Sequence, residues 1–309
     1  MSKEKWTTDN IPNLTGKVII VTGGNSGIGY ESVKAFAEKG AQVVMASRSA
    51  EKAQVAKTEI RKSTPNGDIV VMALDLMDFA SIRKFASDFK AKFDRLDVLL
   101  NNAGIMNTPY SLTKDGLESQ MGTNHFGHFL LTGLLFDRIT GTPNARVVNV
   151  SSGLHKSGKM DFDNLLFEKG QDYSPLSAYS RSKLANLLFT YELQRKFEAS
   201  KSDNIAVAAH PGVSKTNLVN HLEKNWGYKL LLSVFQLVMQ SQEQGALPQI
   251  RASVDPNVKG GEYYGPGGFN EMRGLPVIVP SNEASHNQAD AAKLWAVSEK
   301  LTGVEYKFS

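Results

Sequence analysis

The chain has 309 residues, of which 41% are apolar and 21% charged; this suits one large globular α/β domain and excludes a disordered chain. Its 35 basic and 31 acidic side chains leave a net charge of only +4, without a basic arm, so no nucleic-acid partner is expected. The lack of cysteine excludes disulfides, thiolate metal sites and cysteine nucleophiles, and it suits a reducing cytoplasm.

The first residues, "MSKEKWTTDNIPNLTGK", contain no apolar core of a secretory signal. The first predicted strand, "KVIIVTG" (17–23), runs into "TGGNSGIG", where Gly23, Gly27 and Gly29 stand just before a helix over Tyr30–Lys39. Glycines there let backbone approach a pyrophosphate, and the helix N-terminus offers free N–H groups. The turn residues Asn25, Ser26 and Ile28 belong to the same candidate phosphate site. A second strand, "AQVVMAS" (41–47), ends in Ser47 and Arg48, about 20 residues on, where an acidic residue would hold the ribose of NAD. A guanidinium suits a 2′-phosphate instead, so NADP(H) is favoured over NAD(H), although Arg48 also reads as a solvated surface residue.

After a helix over Ala50–Ser63 comes "DIVVMALD" (68–75). Asp75, with Leu76 beside it, could receive the adenine amine or could cap the helix over Ser81–Phe93. "LDVLLNNAG" (96–104) closes in Asn102, Ala103 and Gly104, small enough to let backbone lie against a bound ring. "MGTNHFGHF" then places Asn124 in an apolar helix, at a cost in helix stability that asks for a partner or a role. His125 and His128 lack a third ligand at helical spacing; no metal site is expected, and both histidines read as structural or interfacial.

"ARVVNVSS" (145–152) leaves Ser151 and Ser152 at a strand end. An irregular stretch, 154–175, leads to "AYSRSKLAN", which puts Tyr179 and Lys183 four residues apart on one helix face. "NIAVAAHPG" (204–212) ends in a turn, Pro211–Gly212–Val213, with Thr216 placed to touch a cofactor phosphate or carboxamide, and His210 reads as structural. A lid over the substrate is expected at about 213–244. Its apolar stripe within 226–240 fits a pocket wall, plain core packing, or a membrane-surface or subunit contact. At twelve residues or so the stripe is too short to span a bilayer. A last weak strand is "GEYYG" (261–265). Strands apolar on both faces alternating with amphipathic helices predict a doubly wound, mainly parallel seven-stranded sheet of Rossmann type, in one domain over 1–309.

Taken together the motifs resemble the short-chain dehydrogenase/reductase family over nearly the whole chain. T-G-x3-G-x-G falls on Thr22–Gly29, N-N-A-G on 101–104, Y-x3-K on Tyr179–Lys183 and the P-G turn on Pro211–Gly212. "NHFGHFLLT", "YSRSKLANLLF" and "AAHPGV" are most similar to the branch that includes retinol dehydrogenases and uncharacterised bacterial oxidoreductases. The stretch between Ser152 and Tyr179 is long for the family. The resemblance implies hydride transfer between a nicotinamide and an alcohol or carbonyl, with Tyr179 as general acid/base. Lys183 would lower the phenol's pKa and hold the nicotinamide ribose, Ser152 would bind the substrate oxygen, and Asn124 would hold a relay water. An intact tetrad argues against a catalytically weak cofactor-binding sensor or scaffold, and too few residues follow Gly212 for a nucleotide-sugar epimerase. A small-molecule, lipophilic substrate is expected; a homo-oligomer and peripheral membrane contact stay open.

Overall fold

The structure, a computed structural model, describes residues 5–213 and 240–308. Eight strands form one sheet: β1 (Val18–Thr22), β2 (Gln42–Ser47), β3 (Asp68–Ala73), β4 (Val98–Asn101), β5 (Arg146–Val150), β6 (Ile205–Ala209), β7 (Tyr263–Pro266) and β8 (Pro276–Ile278). Their order is β3-β2-β1-β4-β5-β6-β7-β8, with β1 to β7 parallel and β8 antiparallel to β7. The expected sheet is thus present with one strand more. β8 is three residues long and exposed at its end, too brief to carry a pattern of its own.

Burial explains why these segments are strands. Every residue of β1 is buried, and alternate side chains serve opposite cores. Ile19 and Val21 join Phe36 of α1 (Gly27–Glu38) and Ile250 of α8 (Gln242–Val254). Val18 and Ile20 join Phe85 and Phe89 of α3 (Phe79–Lys90) on the other face. Helix α2 (Ala50–Ser63) covers β2 and β3. Asp78, not Asp75, caps α3, accepting from the N–H groups of Ala80 and Ser81.

A nearly continuous helical run follows β4: α4 (Ser119–Met121), a π-helical turn over Gly122–Phe126, and α5 (Gly127–Leu134), then the short α6 (Phe136–Thr140). Helix α7 (Pro175–Ala199) begins with proline in its first turn, where the missing N–H costs nothing. Helix α9 (Gln288–Thr302) and the tail behind it lay Trp295, Tyr306 and Phe308 against Phe129, Phe136, Phe189 and Phe197. No helix among the described residues is long and apolar enough to cross a membrane. The strand order reverses between β1 and β4, and in such sheets the crevice beyond the strand ends at that point is where ligands bind.

Candidate active site

The glycine turn sits at the carboxyl end of β1. Gly23 and Gly27 have φ of 66° and 58°, in the left-handed region. A Cβ on Gly29 would lie 2.4 Å from the Gly23 carbonyl oxygen and 2.6 Å from Asn102 Nδ2, so α1 can start this close to β4 only with glycine there. Ser26 at the N-cap of α1 makes no side-chain cap, leaving first-turn N–H groups directed at the crevice. Asn25 accepts the Ser47 hydroxyl at 2.9 Å, which ties β2 to the turn. Ser47 is buried, whereas Arg48 is exposed at the rim. Asp75 is spent locally, its Oδ1 accepting from Met77 N at 3.0 Å, and the carbonyl of buried Leu76 packs where a Cβ on Gly127 would stand.

Two further residues shape the cradle. Thr22 Oγ1 accepts the N–H groups of Asn102 and Ala103, each at 2.9 Å, and Thr22 O accepts Asn102 Nδ2 at 2.7 Å. Gln249 of α8 donates to Ser32 Oγ at 2.8 Å and Asn102 Oδ1 at 3.0 Å, bracing both glycine turn and β4 end from a helix far along the chain. Thr22 stands inside the quoted glycine motif, so its position was visible; Gln249 reaches the cradle only through tertiary packing.

The motif "AYSRSKLAN" divides its residues among neighbours. Ser180 and Arg181 hold the irregular stretch: Ser180 Oγ accepts from Ser157 Oγ at 3.1 Å, and Arg181 donates to the carbonyls of Lys159, Asn164 and Leu165 while lying 4.0 Å over the Phe167 ring. Ser182 Oγ accepts from Asn124 Nδ2 at 2.9 Å. Tyr179 and Lys183 face the crevice side by side, with Lys183 Nζ 5.5 Å from the Tyr179 ring centre. Lys183 Nζ donates to Val150 O at 3.0 Å, at the end of β5.

Asn124, in the π-helical turn, uses both amide hydrogens, on Ile105 O at 3.0 Å and on Ser182, while its Oδ1 accepts from Ile105 N at 2.9 Å. It therefore meets any further group as an acceptor. A Cβ on Gly104 would come within 3.1 Å of Asn124 Oδ1 and 3.4 Å of Lys183 Nζ, so the N-N-A-G turn passes directly over the tetrad. Ser152 Oγ accepts from Leu154 N at 3.2 Å and lies near enough to oppose the rise in the Tyr179 pKa.

Burial dominates the electrostatics. The Tyr179 phenol is pushed up to about 12 and the Lys183 ammonium down to about 8. The expectation that Lys183 draws Tyr179 below its ordinary pKa is thus not met by the chain's own groups. Desolvation of the buried phenol outweighs the one group that opposes it, the Ser152 hydroxyl.

At the end of β6, Gly212 has φ of 63°, and a Cβ there would meet the Met272 carbonyl at 2.5 Å. Val213 N donates to Met272 O in the loop after β7, and Gln240, just ahead of α8, donates to Pro211 O, so two segments fix this turn. Buried His210 stands 3.2 Å from Glu271, whose other oxygen receives Lys156. Thr216 and the apolar stripe lie outside the described residues apart from Gln240, as does most of the expected lid. Among the described residues no group of three His, Cys, Asp or Glu side chains could hold a metal ion.

A doubly wound sheet with a glycine cradle at its switch point and a Tyr-Lys-Ser-Asn cluster beside it defines a nicotinamide-dependent oxidoreductase of CH–OH and C=O groups. The short chain dehydrogenase family profile matches residues 17–226, and the chain belongs to that family. It is 40% identical to human (Homo sapiens) retinol dehydrogenase 12 over 296 residues, which is 95% of this chain and 89% of that protein. Human polyprenol dehydrogenase is 38% identical over 300 residues, 95% of this chain and 87% of that one. An uncharacterised protein from Mycobacterium paratuberculosis superposes with a TM-score of 0.81 at 38% identity, covering 98% of this chain and all of its own. Pseudomonas aeruginosa RhlG, in a complex with NADP, shares the fold at TM-score 0.65 and 22% identity, covering 81% of this chain and 94% of that one.

Proposed function

We propose that the protein interconverts lipophilic alcohols and carbonyls with NADP(H), using Tyr179 as general acid/base. The observation that carries this reading is the meeting of Tyr179, Lys183, Asn124 and the Gly104 backbone in one buried cluster at the ends of β4 and β5, beside the glycine cradle.

Thr22, the glycine turn (Gly23 to Gly29), the N-N-A-G turn and Pro211 to Val213 would hold the dinucleotide, joined by Thr216 from sequence alone. When bound, a nicotinamide gives or takes the hydride at the substrate carbon. Ser152 would donate to the substrate oxygen. Tyr179, whose pKa burial pushes up to about 12, is protonated at neutral pH, the form that donates a proton to a developing alkoxide. Lys183 sits between that phenol and the β5 end, and Asn124, left only with acceptor capacity, would orient a water that returns the proton from solvent.

Arg48 at the rim, with no carboxylate beside it on β2, supports NADP(H) over NAD(H). The lipophilic assignment is supported by relatives named for retinol and polyprenol and by Leu154, an exposed apolar side chain two residues beyond Ser152. The cysteine-free composition supports a cytoplasmic setting. Turnover of a panel of short and long aldehydes, ketones and alcohols with each cofactor tests the reading. Activity confined to small hydrophilic substrates, or equal use of NADH and NADPH, would remove the corresponding part.

A further inference from the structure

His128, which reads from sequence as a structural residue, occupies a position between the cofactor cradle and the tetrad. Its Nδ1 lies 3.0 Å from the Asn124 carbonyl oxygen and its Nε2 3.0 Å from Thr22 Oγ1. A carbonyl oxygen can only accept, so the ring hydrogen is on Nδ1. In a neutral ring Nε2 is then an acceptor, and the Thr22 hydroxyl donates to it. The Leu100 carbonyl is also within reach of that hydroxyl but at 3.4 Å, so Nε2 at 3.0 Å is the nearer acceptor. With the N–H groups of Asn102 and Ala103 on the same oxygen, its one hydrogen and both lone pairs are used. A second ring proton would point at an oxygen with no lone pair left. Burial drives the same way: His128 is 2% exposed, and desolvation, aided by Lys183, pushes it down to about 4.

We propose that His128 is a positioning residue whose neutral Nδ1–H ring links Thr22, which shapes the dinucleotide cradle, to the Asn124 carbonyl in the π-helical turn. One hydrogen-bond chain then sets both the N-N-A-G turn against which the cofactor lies and the acceptor that orients the relay water. The inference rests on the cofactor and tetrad reading above. It adds that the two halves of the site are coupled through a residue touching neither substrate nor cofactor.

The ring's state is read directly by 15N NMR of the full chain labelled at histidine, with His128→Phe identifying the signals. A protonated Nδ1 and bare Nε2, without titration down to about pH 5, is the expected signature. An Nε2–H tautomer, or titration near 6.5, overturns the proposal. Function is read from the fluorescence of bound NADPH and from kcat with decanal. His128→Gln can still accept from Thr22, and His128→Asn can still donate to the Asn124 carbonyl. We expect His128→Gln to hold NADPH nearly as well as wild type while losing about tenfold in kcat. His128→Asn should show the reverse split, with NADPH binding several-fold weaker, as loss of one buried hydrogen bond predicts. Losses of both properties in step with thermal stability would return His128 to the core. Should the glutamine variant not fold, Thr22→Val and its double variant with His128→Asn serve instead: non-additive losses in NADPH affinity are expected, and additive ones refute the coupling. A wild-type chain that fails to bind NADPH overturns the cofactor reading and this inference together. A Tyr179→Phe variant that loses turnover while the histidine variants are silent overturns this inference alone.

Discussion

Tyr179 and Lys183 carry opposite burdens of burial, and each makes its own prediction. Replacing Tyr179 by Phe keeps the ring among its neighbours and removes only the proton-transfer group. Turnover should fall by about 10²- to 10⁴-fold while NADPH affinity, followed by fluorescence, stays within about twofold. A variant retaining a tenth of wild-type kcat would exclude the role. Lys183 is an ammonium held down to about 8 from its ordinary 10.5. Below pH 8 folded and unfolded chains both carry its proton, and the folded chain bears the cost of burying it, about 3 kcal/mol. Between pH 8 and 10.5 the unfolded chain keeps a proton that the folded one sheds, so the cost fades. Lys183→Met should therefore lose activity yet gain up to about 3 kcal/mol in denaturant unfolding at pH 7, with the gain shrinking as pH rises through that window. A destabilised variant at pH 7 would show that the Val150 hydrogen bond outweighs desolvation. At the rim, Arg48→Ala should cost NADPH, and not NADH, about tenfold or more in affinity, as loss of a charge-assisted contact to phosphate requires. Parallel titrations with the two cofactors separate the outcomes.

Among the elements, α7 has the clearest division of labour. Its tyrosine and lysine face the crevice, while Arg181, between them in sequence, points the other way into the stretch after β5. Three carbonyls and the Phe167 ring depend on that one guanidinium. Arg181→Leu should cost about 1–3 kcal/mol, chiefly by stranding the buried Leu165 carbonyl, and should open the stretch to trypsin at Lys159 or Lys169. Timed digestion of folded protein, with and without the substitution, measures this; equal cleavage rates would show that the stretch stands without its anchor. The strands of the central sheet were legible because short apolar runs bounded by glycine or polar residues have few other uses. Their ends were less so: β4 stops at Asn101, where Thr22 takes over the next two N–H groups, a side-chain substitution for the ladder that no strand pattern announces. The candidate tetrad was legible as spacing, since four residues on one helix bring Tyr179 beside Lys183. The partners that orient it were not: Ser182 and Thr22 lie within quoted motifs but act through neighbours far along the chain, and Gln249 and His128 meet the cradle only once α8 and α5 have packed.

At the scale of the molecule, the last twenty residues decide which surface the helical layer presents. A homo-oligomer is compatible with the sequence, and the buried helices α5 and α7 are natural faces for one. In the fold that face is already covered: Tyr306 donates to the Phe129 carbonyl at 2.6 Å, and Trp295, Tyr306 and Phe308 pack on Phe129, Phe136, Phe189 and Phe197. A second copy docking there would have to displace the chain's own tail and break the Tyr306 hydrogen bond to the Phe129 carbonyl. Removing the aromatic contacts one at a time tests how much of the fold depends on this cover. Tyr306→Ala should cost about 3–5 kcal/mol, as large-to-small changes in buried aromatics do, since it deletes both ring and donor. Tyr306→Phe, which keeps the ring, should cost only about 0.5–1.5 kcal/mol for one lost hydrogen bond, because the Phe129 carbonyl keeps its partner within α5. Tyr179 and Lys183 lie in the first half of α7 and Phe189 and Phe197 in its second half, so kcat per folded molecule should stay near wild type in both variants while light scattering reports self-association only in the alanine variant. Loss of activity matching the loss of stability would show instead that the tail and the site fold as one cooperative unit.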